Sequence, residues 1–305
     1  MQDGPRRRNV RRLAQLGSLV LLSLAAACSG SETHTGPTVT PPPGGDNILL
    51  AAGDVGDCTL PGAGLTGLLL DNLRGTILAL GDLAYPHGSR ANFNECYHPH
   101  WGRHRSRTMP VPGNHEYETP GAEGYFNYFD EAAGFPGGGY YSFTRAGWLI
   151  IALNSELPMG EGSAQFAWLR GQLAPPVATC TLAYWHRPLF SSGPNGNNPD
   201  VRPLFRALYD AGAEIVLTGH EHSYERFARQ DPEGRADPTR GIRQFVVGTG
   251  GARLSPTSGP ARPNSEARGS EWGVLKVTLG GAGYEWEFTP VAGGGFRDAG
   301  SGQCR

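Results

Sequence analysis

A hydrophobic run long enough to cross a bilayer comfortably is missing from this sequence. The candidate stretch, Leu13 to Ala27, is about 15 residues and rich in small side chains. There is no basic block beyond residue 12 and the formal net charge is −2, which argues against a nucleic-acid-binding surface. An acidic tail is lacking too. No Cys-x-x-Cys pair occurs, so a cysteine-bound zinc cluster is not expected. Neither an internal repeat nor a second domain is evident. What abounds is glycine (46) and proline (25), nearly a quarter of the 305 residues, so loops must be extensive. Apolar runs of strand and helix type still recur from residue 48 onward. About 260 residues remain after the leader, enough for one α/β domain with a sizeable core.

Arg6, Arg7, Arg8, Arg11 and Arg12 precede the apolar stretch, and together they read as a targeting signal. The arginine pairs also allow a twin-arginine signal. The stretch ends Leu24-Ala25-Ala26-Ala27-Cys28, close to a bacterial lipoprotein cleavage box with its leucine one position early; Cys28 would then be acylated. Ordinary cleavage near Ala27 is the alternative. The Ser/Gly/Thr/Pro-rich tether that follows would hold a domain off a membrane, which favours the lipoprotein reading. The expected organisation is a signal segment over 1–28, a linker over 29–46 and a folded domain over 47–305. The expected place is the bacterial cell envelope as a lipoprotein, or the periplasm or exterior, with the membrane met only through the N-terminal lipid.

Export decides the reading of the cysteines. Besides Cys28 there are Cys58, Cys96, Cys180 and Cys304, an even number that favours disulfides in an oxidising compartment. Three pairings are open. The preferred one is Cys58–Cys96 with Cys180–Cys304, the second tying the C-terminal tail to the core.

Apolar runs at 47–53, 76–81, 108–112, 180–185 and 214–218 read as buried strands. Each ends at a polar cluster: Asp54, Asp82, Asn114-His115, His186 and His220-Glu221-His222. Strands at 140–143 and 148–153 read as a hairpin, 65–73, 164–173 and 201–211 as helices, and 244–247, 273–279 and 284–291 as later strands. Sites in α/β folds form at the C-terminal edge of such strands. The expected fold is α/β, a four-layer α/β/β/α sandwich of two packed sheets with helices outside.

The clusters supply two carboxylates, an amide, several imidazoles and, through Tyr85, a phenol. These ligands suit iron, zinc or manganese. A glycine beside each cluster is expected to let the backbone turn sharply there. Two cations sharing a carboxylate can bind a phosphate and activate a water. Each piece has an ordinary explanation taken singly: Gly-Asp is usually a turn, Gly-Asn-His a loop, and a strand-end histidine a hydrogen-bonding residue. Five such ends in this order make coincidence a poor account.

The order Asp-x-Gly, Gly-Asp, Gly-Asn-His-Glu, His, Gly-His-x-His resembles the calcineurin-like metallophosphoesterases. Tyr85, three residues after Asp82, and the run Gly219-His-Glu-His-Ser-Tyr-Glu-Arg226 resemble the purple acid phosphatases, over about residues 48–292. The resemblance implies that Asp54, Asp82, Tyr85 and His222 hold a first metal, Fe(III). It implies that Asp82, Asn114, His186 and His220 hold a second, Fe(II), Zn(II) or Mn(II), with Asp82 bridging. His115 would bind the phosphate and protonate the leaving oxygen, Asn114 would face the substrate too, and a metal-bound hydroxide would attack phosphorus. Glu116 is expected either to orient His115 or to be a solvated loop carboxylate. Arg187 is expected to contact phosphate or to form a structural salt bridge. Tyr224, Glu225 and Arg226 are expected to brace the His220–His222 loop. Gly248-Thr-Gly-Gly251 reads as a loop-shaping segment rather than a phosphate cradle. His87, His98, His100 and His104 read as surface or rim residues. The segment Ser191–Asp200 carries Asn195, Asn197 and Asn198 but no histidine, a departure from the family, and no counterpart of the plant enzymes' fibronectin-like N-terminal domain is expected in these residues. The implied activity is an acid phosphatase-type phosphomonoesterase acting on a small phosphate ester. The alternatives are a phosphodiesterase for nucleotides or lipid head groups, and a non-catalytic binding protein on the same fold.

Overall fold

A computed structural model of the chain describes residues 39, 47–174 and 180–305. The leader, Cys28 and the tether apart from Val39 lie outside the described residues.

Thirteen strands form among the described residues. In chain order these are β1 (Ile48–Ala52), β2 (Thr76–Leu80), β3 (Thr108–Val111), β4 (Tyr141–Arg145), β5 (Trp148–Ala152), β6 (Thr181–Tyr184) and β7 (Ile215–Thr218). Then come β8 (Tyr224–Phe227), β9 (Arg243–Val247), β10 (Ser265–Gly269), β11 (Gly273–Leu279), β12 (Gly283–Pro290) and β13 (Asp298–Gln303). One sheet runs β13-β12-β11-β1-β2-β3 and the other β10-β8-β9-β7-β6-β5-β4. In the first, β1, β2 and β3 are parallel; in the second, β5, β6, β7 and β9 are.

The sequence pattern explains this split. The parallel strands are covered on both faces, so they read as unbroken apolar runs such as Thr76-Ile-Leu-Ala-Leu80, buried at every position. Antiparallel β12 alternates instead: Tyr284, Trp286 and Phe288 face the core while Glu285 and Glu287 face out. One apolar core joins the facing surfaces of the sheets and continues under the helix Gly62–Asp71. A second lies between the outer face of the β6–β7 sheet and the helices Ala164–Gln172 and Arg202–Asp210. The four-layer α/β/β/α order expected from the sequence is therefore observed.

The preferred disulfide pairing is found: Cys58–Cys96 and Cys180–Cys304, with Cα atoms 4.7 and 5.5 Å apart. The second bond follows an element that the sequence did not reveal, β13, whose Gly- and Ser-rich residues carry no apolar alternation. Strands β8 and β10 give no sequence signal either: β8 is four residues long with a charged pair between its two aromatics, and β10 (Ser-Glu-Ala-Arg-Gly) has no apolar alternation.

Two expectations are corrected away from the strand tips. His104 is buried: its Nε2 contacts the Gly67 carbonyl at 3.2 Å, and so it braces a helix rather than the surface. Tyr224 and Arg226 brace β13, not the His220–His222 loop; the phenol donates to Asp298 at 2.6 Å and the guanidinium at 2.7 Å. Glu225 alone of the three turns toward the site side, accepting from the Ser192 N–H at 2.8 Å.

Candidate metal centre

Parallel strands send their C-terminal ends to one edge of each sheet, so β1, β2 and β3 from one sheet and β6 and β7 from the other meet there. Asp54, Asp82 and Asn114 follow the first three; His186 and His220 follow the last two. The sequence assigned the sharp turns to the flanking glycines. The structure places much of the left-handed backbone on the polar strand-tip residues themselves, with φ of 59° at Asp54, 51° at Asp82 and 71° at His220. Such conformations cost about 1–3 kcal/mol each and cluster at functional sites. Several flanking glycines act instead by leaving space. A Cβ on Gly219 would stand 2.7 Å from Asp54 Oδ2, and one on Gly113 would overlap Asp82 Oδ1.

Two groups of donor atoms result. In one, Asp54 Oδ1 lies 3.1 Å from the Tyr85 hydroxyl and 3.2 Å from His222 Nε2, and those two atoms are 3.1 Å apart. In the other, His186 Nε2 lies 3.1 Å from Asp82 Oδ2 and 3.2 Å from His220 Nδ1. Asp82 Oδ2 belongs to both, since it is also 3.4 Å from the Tyr85 hydroxyl. Separations of about 3.0–3.4 Å are the edges of a polyhedron whose metal–ligand bonds are about 2.0–2.2 Å. Asp82, His186 and His220 can each offer an atom to a common point.

The remaining ring nitrogens fix how the imidazoles present themselves. His186 Nδ1 lies 2.8 Å from the Leu80 carbonyl, and His222 Nδ1 lies 2.8 Å from that of Arg253. A carbonyl only accepts, so each of these nitrogens carries the proton and Nε2 keeps its lone pair for the site. The Asp82 and Asp54 carboxylates are aimed from behind. The His115 N–H donates to Asp82 Oδ1 at 2.8 Å and the His220 N–H to Asp54 Oδ2 at 2.8 Å. Asn114 Oδ1 is buried with no hydrogen-bond partner. An orphaned amide oxygen beside these donors fits a metal ligand.

Among the protein groups alone, the electrostatics are those of anions seeking cations. Burial would raise Asp82, but the His186 imidazolium and its hydrogen bond outweigh this and hold it below the carboxylate range. Burial disfavours a charged His186, yet Asp82 pushes it up to about 10. His222 behaves alike against Asp54, rising to about 9. Burial, aided by the His186 charge, pulls His220 down to about 3, so it stays a neutral donor. The Tyr85 phenol is held well above its usual range, first by burial and then by Asp54 and Asp82.

Glu116 corrects both of its expectations. It is fully buried, so it is not a solvated loop carboxylate, and its oxygens do not meet the His115 ring. One oxygen accepts the N–H groups of Leu83 (2.8 Å) and Ala84 (3.3 Å); the other accepts those of Asp82 (2.9 Å) and Gly113 (2.7 Å). The side chain thus clamps the ends of β2 and β3 together. His115 is oriented instead by the Pro86 carbonyl, 2.5 Å from Nδ1, with its Nε2 left 3.8 Å from Asp82 Oδ2. Arg187 makes the salt bridge foreseen for it, Nε to Glu156 at 2.9 Å, while its Nη1 lies 3.4 Å from His220 Nε2. The Gly248–Gly251 backbone is used internally, for example Gly250 N–H to the Gly53 carbonyl at 2.8 Å, which suits loop shaping.

Two residues were not singled out from the sequence. Glu221, between the histidines, is buried and receives the Asn195 N–H at 2.6 Å, fastening the 193–196 loop beside the centre. Its place inside Gly-His-x-His was the available signal. Glu156 gave none, because nothing local marks the residue that will meet Arg187.

Residues 39–224 match the family model described as calcineurin-like phosphoesterase, and the chain belongs to that family. Its curated relatives include purple acid phosphatases. Purple acid phosphatase 15 of Arabidopsis thaliana is 28% identical over 223 residues, 61% of this chain and 41% of that protein. Purple acid phosphatase 18 of the same plant is 31% identical over 192 residues, 57% of this chain and 42% of that protein. The chain thus spans less than half the length of these relatives. A solved purple acid phosphatase, PPD1 from yellow lupin (Lupinus luteus) seeds, shares the fold with a TM-score of 0.67 at 18% identity, covering 83% of this chain and 53% of that one. The resemblance read from the motifs is borne out.

Proposed function

We propose that this chain hydrolyses small phosphate esters at a two-metal centre, as an acid phosphatase-type phosphomonoesterase. One observation carries the reading: two groups of donor atoms meet at a single oxygen, Asp82 Oδ2. Asp54, Tyr85 and His222 would hold one cation, Fe(III), and Asn114, His186 and His220 the other, Fe(II), Zn(II) or Mn(II), with Asp82 shared. Bound there, such cations supply Lewis acidity toward the phosphoryl oxygens and lower the pKa of water to make a nucleophile.

The chain's own residues do the rest. His115 presents Nε2 to the substrate while its Nδ1 is fixed on the Pro86 carbonyl, so a proton on Nε2 can pass to the leaving oxygen. Arg187, anchored by Glu156, offers its outer nitrogens to a phosphate oxygen. Glu116 keeps the Asp82 and Asn114 tips in register. The disulfides support an exported protein. No helix among the described residues is long and apolar enough to cross a membrane. Attachment through an acylated Cys28 remains part of the proposal, and mass spectrometry of the mature N-terminus tests it.

The deciding experiment combines elemental analysis with hydrolysis of p-nitrophenyl phosphate and of bis(p-nitrophenyl) phosphate. About two metal equivalents and faster monoester hydrolysis are expected. A faster diester would make this a phosphodiesterase. Less than one equivalent with no hydrolysis would leave a binding protein on the same fold.

A further inference from the structure

A cavity of about 790 Å³ opens between the 155–160 turn and the 198–203 segment. Arg187 stands in its wall and is the lining residue that reaches the metal centre: its Nη1 lies 3.4 Å from His220 Nε2, the ring nitrogen opposite the one that faces His186. The guanidinium cannot swing freely: its Nε meets both Glu156 oxygens, at 2.9 and 3.1 Å. Its backbone N–H donates to Ser155 Oγ at 3.1 Å, and that hydroxyl donates to Glu156 at 2.9 Å. The Arg187 charge is therefore balanced within the wall.

Asp200 adds a second carboxylate to the cavity and has no ion pair among the described residues. Its partner Asn198 holds only its backbone N–H, at 3.1 Å. The wall so carries one net negative charge. Apart from Gly160, the rest of the lining is apolar: Leu157, Pro158, Met159, Pro199 and Pro203. Among the described residues no aromatic ring lines it to stack a base, and no unbalanced cation lines it to take a second phosphate.

We infer that this cavity receives the alcohol portion of the ester and selects small non-aromatic alcohols bearing an ammonium group, that is, amino-alcohol phosphates. The inference rests on the phosphatase reading above and deepens it. The phosphate would lie at the metal centre under Arg187 and His115. The ammonium group would point away from it, toward Asp200 across the apolar walls.

Three phosphomonoesters of similar size test this: O-phosphoethanolamine, propyl phosphate and phosphoglycolate, whose alcohol portions carry charges of +1, 0 and −1. The metal-loaded protein should show kcat/KM falling in that order, by about tenfold between the ends at low salt and less at high salt. Asp200→Lys should reverse the order of the charged pair, and Asp200→Asn should compress it. Equal or better use of phosphoglycolate, or an order indifferent to Asp200→Lys, overturns the inference while p-nitrophenyl phosphate hydrolysis keeps the phosphatase reading intact. Absence of hydrolysis of all four esters by metal-loaded protein ends both.

Discussion

Nε2 of His186 and Nδ1 of His220 face each other at 3.2 Å, with Asp82 Oδ2 another 3.1 Å from the first. The other nitrogen of His186 already donates to the Leu80 carbonyl. Two imidazole nitrogens and a carboxylate therefore converge, with a cation to be held among them, a proton or a metal ion. A chelator that strips metal leaves only the proton. Folding free energy and metal binding are linked, so metal-free protein should melt several degrees lower and lose phosphate ester hydrolysis, and added Fe, Zn or Mn should restore both. Differential scanning calorimetry with and without chelator checks this; an unchanged Tm would count against the centre.

Asp82→Asn removes the charge at the shared oxygen while keeping the shape. We expect the variant to bind fewer than two metal equivalents and to lose at least about 10²-fold in kcat, a loss of roughly 3 kcal/mol in transition-state stabilisation. Elemental analysis and steady-state rates measured on the same sample check both parts. Full activity with a normal metal content would refute the bridging role.

Tyr85 gives a test of metal identity. Burial and two aspartates hold its phenol well above the usual range, so ionisation demands a strongly acidic cation close by. Iron(III) meets that demand better than zinc or manganese(II). Protein loaded with ferric ion should absorb in the visible, Tyr85→Phe should bleach it, and protein loaded with zinc alone should be colourless. A visible band that survives in Tyr85→Phe would assign the colour elsewhere.

His115 stands beside the proposed ligands without joining either donor group, its Nε2 3.8 Å from Asp82 Oδ2. His115→Ala should keep its metals and lose about 10²–10⁴-fold in kcat on esters with poor leaving groups. The loss should be smaller for p-nitrophenyl phosphate, whose leaving group needs little protonation. Loss of metal instead would make His115 a ligand.

Glu116 holds four backbone N–H groups with two oxygens. Glu116→Gln points an NH₂ group at two of those donors inside a buried site. The expected cost is about 1–3 kcal/mol or more of stability, read as a Tm lower by several degrees. Metal affinity should fall with it, because Asp82 and Asn114 stand on the strand ends that Glu116 joins. A Tm and metal content equal to wild type would show the clamp to be dispensable.

The sequence by itself determined the strand tips and their chemistry. Buried parallel strands need apolar side chains on both faces, so Thr76–Leu80 and Ile215–Thr218 stand out, and the polar residue that ends each run stands out with them. It likewise carried the pairing of Cys58 with Cys96 and Cys180 with Cys304 as a preference. Tertiary structure decided what has no local signature. Which Asp82 oxygen meets His186, why Glu116 faces amides rather than His115, how β13 adds to the edge of its sheet and where Asp200 stands all depend on contacts between residues far apart in the chain. Hydrophobic periodicity records only whether a side chain is covered; it holds no information about the partner that covers it.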